Sequence, residues 1–171
     1  MKSIYLRAGS ARCAALAAAV AAALDATAAS AHDYAVGALK IGHPWSRPTT
    51  EGAATAAGYL SITNTGTAPD RLLGGSTPEA DRLEVHRMSV ARGVMRMRPM
   101  PDGLPSPAGK TIEVQPNSGV HLMFIRPKHL FHVGDRIPVI LRFAHAGEVK
   151  VEFYVQDGPP PTGAQEHTDH H

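Results

Sequence analysis

The feature that most constrains this chain is how short its apolar alternations are. Between about residues 36 and 157, apolar and polar residues trade places every position for a few residues and then stop at a turn. Ile137, Val139, Leu141 and Phe143 alternate in this way, as do Val149, Val151, Phe153 and Val155. A period of two is that of a half-buried strand, and no stretch of the body keeps the helical period. The breaks are rich in the residues turns select: Asn64-Thr65-Gly66, Pro101-Asp102-Gly103, Pro116-Asn117-Ser118-Gly119 and Val133-Gly134-Asp135. Strands are expected near Val36–Ile41, Thr55–Asn64, Arg71–Ser76, Arg82–Ser89, Gly93–Met100, Thr111–Val114, Gly119–Pro127, Arg136–Ala144 and Glu148–Gln156. Ala-rich Gly52–Gly58 is the one place where a helical turn competes. Short strands at hairpin spacing imply an all-β antiparallel sandwich or barrel.

The ends read differently. Lys2, Arg7 and Arg12 precede the small apolar run Cys13–Leu24, and A-x-A sites follow at Ala26-Thr27-Ala28 and Ala29-Ser30-Ala31. A basic start, a short apolar stretch and a small-residue site make residues 1–31 a secretory signal peptide. The run is too short for the roughly 20 residues of a membrane-crossing helix, so no transmembrane anchor is expected after cleavage. The domain is then 32–157, and 158–171 form a tail. Pro159-Pro160-Pro161 cannot join a sheet ladder, so that His-containing tail is expected to be flexible.

Removing Lys2, Arg7 and Arg12 from the 17 basic residues, and Asp25 from the 15 acidic ones, leaves 14 of each. Such a balance does not point to nucleic acid. The single cysteine, Cys13, leaves with the signal. The mature chain therefore has no disulfide, no thiolate nucleophile and no Cys-ligated zinc, iron–sulfur or blue-copper centre.

Apart from the initiator, every methionine falls between residues 88 and 123: Met88, Met95, Met97, Met100 and Met123. His86 and His121 bracket the stretch. Residues two apart on a strand share a face, which groups His121 with Met123, His86 with Met88, and Met95 with Met97. Leu83, Val85, Leu122 and Phe124 then point the other way, into the core. Imidazole and thioether together, with no cysteine and no carboxylate in the pattern, suit Cu(I) and suit Zn²⁺, Mg²⁺ or Ca²⁺ poorly. Met88, Met95 and Met100 stand as auxiliary donors; a scattered Met is otherwise core filler or part of a pliable binding surface.

Ten residues separate His86 from Met97, and His121-Leu122-Met123 follows. This pattern resembles the H(M)-x10-M-x21-H-x-M signature of the PCu(A)C family of periplasmic copper chaperones. Val85–Met88, Gly93–Pro99, Gly119–Met123 and the Gly134-Asp135 turn are similar too, so the likeness spans roughly residues 36–156. It implies a cupredoxin-like Greek-key β-sandwich with Cu(I) on His86, Met97, His121 and Met123. It also implies delivery to the binuclear copper centre of cytochrome c oxidase subunit II, alongside a Sco-type thioredoxin-like partner. Two departures stand out. Between Met97 and His121 lie 23 residues rather than 21, room for which exists in the Pro101–Lys110 loop, and the bracketed methionine falls two after His86.

The termini add a second metal chemistry. His32 near the cleavage site, and His167, His170 and His171 in the tail, could bind Cu(II). His43, His129, His132 and His145 have no soft partner at strand spacing and are expected to be structural. Arg87, Arg96, Arg98 and Arg126 interleave with the donors and are expected on the opposite strand face, as a solvated face or a basic rim for an acidic partner. The leading expectation is a periplasmic, non-enzymatic copper chaperone. The alternatives are a copper-dependent redox enzyme or His-tail Cu(II) scavenger, and an immunoglobulin-like interaction module with an incidental Met cluster. The mature amino terminus, read by mass spectrometry, is expected to put His32 first or third, from cleavage after Ala31 or Ala29. A mature chain that retains Cys13 contradicts the signal-peptide reading.

Overall fold

The structure is a computed structural model, and it describes residues 34–159. The described chain holds eleven strands and no helix: β1 Tyr34–Val36, β2 Leu39–Ser46, β3 Thr55–Asn64, β4 Asp70–Ser76, β5 Ala80–Ala91, β6 Val94–Pro99, β7 Leu104–Ser106, β8 Thr111–Val114, β9 Val120–Pro127, β10 Arg136–Phe143 and β11 Glu148–Val155. All nine expected strands are present. The expected first strand is in fact two, because Gly37 takes φ +56° and folds β1 back onto β2. The left-handed region is open to glycine without steric cost. The extra strand β7 pairs with β4 inside the proline-rich loop. The Ala-rich segment is strand from Thr55 onward.

The sheet closes on itself. From β2 it runs through β11, β10, β4, β5, β9 and β3, and β3 pairs again with β2. Every pairing is antiparallel except β11 with β2, where Tyr154 and Val155 lie parallel to Trp45 and Ser46. Closure leaves no free edge around the wall. Inside it, Ile41, Leu60, Ile62, Leu72, Leu122, Phe124, Phe131 and Phe153 lose all contact with solvent, with Leu83 and Val85 beside them. Phe124 meets Phe131 and Phe153 edge-to-face at ring separations of 5.4 and 5.6 Å, the geometry aromatic quadrupoles prefer.

One strand stands apart. β6 pairs only with β5, and all six of its residues are exposed. Beyond Arg87, β5 leaves the wall and forms with β6 a two-stranded ribbon whose turn is Arg92-Gly93, both residues at positive φ.

A buried carboxylate ties the other end of the fold together. Asp70, at the start of β4, accepts amide hydrogen bonds from Arg71, His145 and Ala146 at 2.7, 3.0 and 2.8 Å, which docks the β10–β11 turn. Burial pushes this carboxyl's pKa up, but the three amides and the neighbouring His145 outweigh that and hold it below its ordinary value. A depressed carboxyl stabilises the fold above its unfolded-state pKa and loses that contribution as pH falls through the lower folded value. Asp70→Ala is therefore expected to cost about 1–3 kcal/mol at pH 7, the penalty for buried donors left without a partner. In urea unfolding, the gap to wild type should narrow as the buffer is taken below about pH 4, where carboxyls protonate.

Candidate metal centre

The β5–β9 ladder sets the geometry. Its register places Leu83 opposite Phe124, Val85 opposite Leu122, and His86 directly opposite His121. The first four of these side chains are core. The strand period of two then turns His86, His121 and Met123 together onto the outer face, along with Glu84, which lies opposite Met123. The β5–β6 ladder adds Met88 opposite Met97 and Val90 opposite Met95 on that same face. Directly facing residues on antiparallel strands lie about 4.5–5.5 Å apart at Cβ, so the two imidazoles are neighbours by construction.

The donors differ in exposure. His121 and Met123 are buried, at 5% and 7% of their accessible surface, although neither belongs to the central core cluster. His86 and Met88 are partly buried. Met97 and Met95, on the edge ribbon, are 43% and 65% exposed. Four positions along β5 separate the rows that hold Met97 and Met123, a span of about 13 Å, with His86 midway. Met97 and Met123 thus approach the imidazole pair from opposite sides.

Each imidazole has its Nε2 engaged and its Nδ1 left over. His86 Nε2 donates to Glu84 Oε2 at 2.8 Å. His121 Nε2 donates to the Pro116 carbonyl at 3.3 Å, and its Nδ1 is buried without a hydrogen-bond partner. Donation from Nε2 leaves the Nδ1 lone pair free in a neutral ring. An orphaned buried nitrogen is costly unless something occupies it, and a soft cation is a fitting occupant. Among the described residues no group of three or more His, Cys, Asp or Glu side chains could hold a metal. An ion bound here depends on the thioethers.

Glu84 corrects the expectation of a carboxylate-free site. It orients His86, and Arg82 Nε holds its other oxygen at 2.8 Å. The hydrogen bond from His86 chiefly, against partial burial and with help from Arg82, holds the Glu84 carboxyl below its ordinary pKa. Such an arrangement fixes a ligand's tautomer and ring direction. Glu84 lies two residues before His86, the same spacing that groups His86 with Met88, so E-x-H-x-M was readable.

Aromatic neighbours were not anticipated. Tyr59 packs edge-on against His121 at 5.7 Å and tilts against Trp45 at 4.5 Å. Trp45 and Tyr59 are both buried and, like Met123, lie outside the central cluster. Burial pushes the Tyr59 hydroxyl's pKa up.

Met100 is a further correction. It follows the last residue of β6, its amide donates to the Val85 carbonyl, and its side chain packs against the core. The alternation that turns Met97 outward turns Met100 inward. The other histidines sit elsewhere: His129 pairs with Glu79, His132 with Asp135, the His145 amide with Asp70, and His43 occupies the bulge of β2 at φ +48°. Arg126 leaves the expected basic rim, since its φ of +50° interrupts the alternation and its guanidinium pairs with Asp81 at 2.7 Å. His32, His167, His170 and His171 lie outside the described residues.

This closed all-β wall resembles the cupredoxin-like PCuAC domains, as the sequence resemblance led one to expect. The family model described as "Putative lipoprotein LpqE-like" matches residues 39–155, most of the chain, so the chain belongs to the LpqE-like family. A protein of Leifsonia xyli subsp. xyli (strain CTCB07) described as "Putative lipoprotein Lxx21020" is 28% identical over 119 residues, 70% of each chain. The solved copper-bound PCuAC domain from PmoF2 is 29% identical with a TM-score of 0.62, covering 75% of this chain and 99% of that one. The apo PCuAC domain from PmoF1 is 26% identical with a TM-score of 0.62, covering 75% and 100%. The solution structure of CuI-DR1885 from Deinococcus radiodurans, at 23% identity and a TM-score of 0.53 over 77% of this chain and 85% of that one, shares the fold.

Because His86 supplies the leading contribution to the Glu84 shift, His86→Ala should let the Glu84 pKa rise toward its ordinary value. A carboxyl-carbon NMR titration of that variant beside wild type reads this directly; an unchanged Glu84 would show that Arg82 suffices.

Proposed function

We propose that this chain is an extracytoplasmic copper chaperone that carries one Cu(I) on His86, His121, Met123 and Met97. The observation that carries the reading is the register pairing His86 with His121 while the same period turns Met123 and Met97 to their face. Support comes from the solved copper-bound neighbour, from the lipoprotein description of the family, and from the signal-like amino terminus.

Four neutral donors leave the bound ion its own single positive charge, and soft thioethers favour Cu(I) over harder cations. His86, His121 and Met123 belong to the closed wall. Met97 belongs to the exposed ribbon and is the donor that swings in to close the site and out to open it. A partner's thiolates, softer and negatively charged, can then replace the thioether and draw the metal across ligand by ligand. The binuclear copper centre of cytochrome c oxidase subunit II, directly or through a Sco-type thioredoxin-like protein, is the recipient implied by the PCu(A)C resemblance. Carriage and release need no bond-making chemistry, so we read the chain as a carrier and not an enzyme.

Competition against a chromogenic Cu(I) chelator tests the assignment. His121→Ala should lower Cu(I) affinity by more than about 100-fold, since changes to groups that only orient a ligand already cost roughly 10–100-fold. Met97→Ala should cost less and should speed release. Binding should weaken in acid, because both imidazoles must be neutral to coordinate. Wild-type affinity in both His121→Ala and Met123→Ala would remove this site from consideration.

A further inference from the structure

The reverse of the β5–β6 ribbon carries its own chemistry. Register places Arg87 directly opposite Arg98, and Arg96 opposite Ser89, on the face away from the methionines. Facing like charges destabilise an antiparallel pair. No compensating carboxylate is supplied: among the described residues, Arg87, Arg92, Arg96 and Arg98 enter no ion pair. Beside the ribbon, Arg71 joins Arg87 and Arg98 around a concavity of about 410 Å³ that also takes in Ser89 and Asp102. Arg71 donates there to the backbone carbonyl of Asp102 at 3.0 Å. The carboxylate of Asp102, another residue of its lining, forms no ion pair within 4 Å.

We propose that this basic concavity is a docking site for a carboxylate-bearing segment of the protein that exchanges copper with this chain. The proposal rests on the copper reading above for the identity of the exchange, though not for the binding itself. Guanidinium groups bind carboxylates through paired, charge-assisted hydrogen bonds. The basic track continues past the concavity to Arg96 and the Arg92 turn, roughly 13–16 Å of strand. One small anion cannot span that length, whereas several acidic side chains along one segment can. The opposite face of the same ribbon holds Met88 and Met97, with Val90 and Met95 strongly exposed beyond them. A partner gripping the back of the ribbon is therefore within reach of the donor that opens the site.

Fluorescence anisotropy of a labelled hexaglutamate peptide tests this on the purified protein. At low salt, wild type should bind the peptide and Arg87→Gln/Arg98→Gln should bind it at least about tenfold more weakly, with the difference shrinking as salt screens the charges. Lys40→Gln/Lys128→Gln, which removes the same charge elsewhere, should match wild type within about twofold. The arginine variant should melt no lower than wild type, because it relieves a like-charge pair. Equal weakening in the two variants would overturn the proposal in favour of diffuse attraction. Displacement of the peptide by equimolar inorganic phosphate, or tighter binding of a short oligothymidylate, would overturn it in favour of another anion. A chelator titration of the same samples keeps the two readings apart. Lost peptide binding with intact Cu(I) affinity supports docking, whereas peptide binding by a wild type that takes no Cu(I) refutes the copper reading alone.

Discussion

Everything distinctive about this molecule depends on how β5 lies against β9. Strands have a side-chain period of two, so sliding β5 past β9 by a single residue would send His86 into the core and Val85 out to solvent. The core resists that slip. Leu83 and Val85 keep only 4% and 3% of their surface, and Leu122 and Phe124 keep none. Phe124 is locked further by Phe131 and Phe153 from other parts of the wall. The apolar packing that stabilises the domain is thus the same packing that holds two imidazoles side by side.

In our copper reading, the wall and the ribbon divide the labour of carrying an ion. A rigid cage of four donors would hold Cu(I) well and surrender it slowly. Here three of the proposed donors are built into a closed sheet, and one rides on a two-stranded extension with a fully exposed strand. The imidazoles are set in advance, His86 by Glu84 and His121 by the Pro116 carbonyl, each with Nδ1 left for a ligand. Preset donors lower the ordering cost of binding, while an exposed thioether gives a partner somewhere to begin. The same ribbon carries methionines on one side and unpaired arginines on the other, which joins our copper reading to our docking proposal.

The fold class was legible because its signal is local. Alternation such as Ile137 to Phe143, closed by Gly- and Pro-bearing turns, specifies strands whatever their neighbours. What escaped local reading was also instructive. The β1–β2 hairpin depends on a single Gly37 inside what looks like one run, and β7 is three residues whose pairing with β4 lies far off in sequence. Met100 looks like its neighbours, yet the end of β6 turns it to the core. Glu84 stands at the right spacing, but only its hydrogen bond from His86 marks it as part of the site rather than of a solvated face.

The amino-acid sequence alone determined the periodicities, the cysteine-free donor set and the pairs of residues that share a strand face, since each follows from chain geometry within a few residues. It could not determine which strands pair, because register is chosen by packing among segments far apart along the chain. The tertiary structure decided that His86 faces His121, that Tyr59 and Trp45 wall one side, that Met97 stands on a free edge, and that Arg71 meets Arg87 and Arg98. Closure of the sheet makes those choices jointly: once the apolar faces turn inward around one core, the outer faces have a single remaining arrangement.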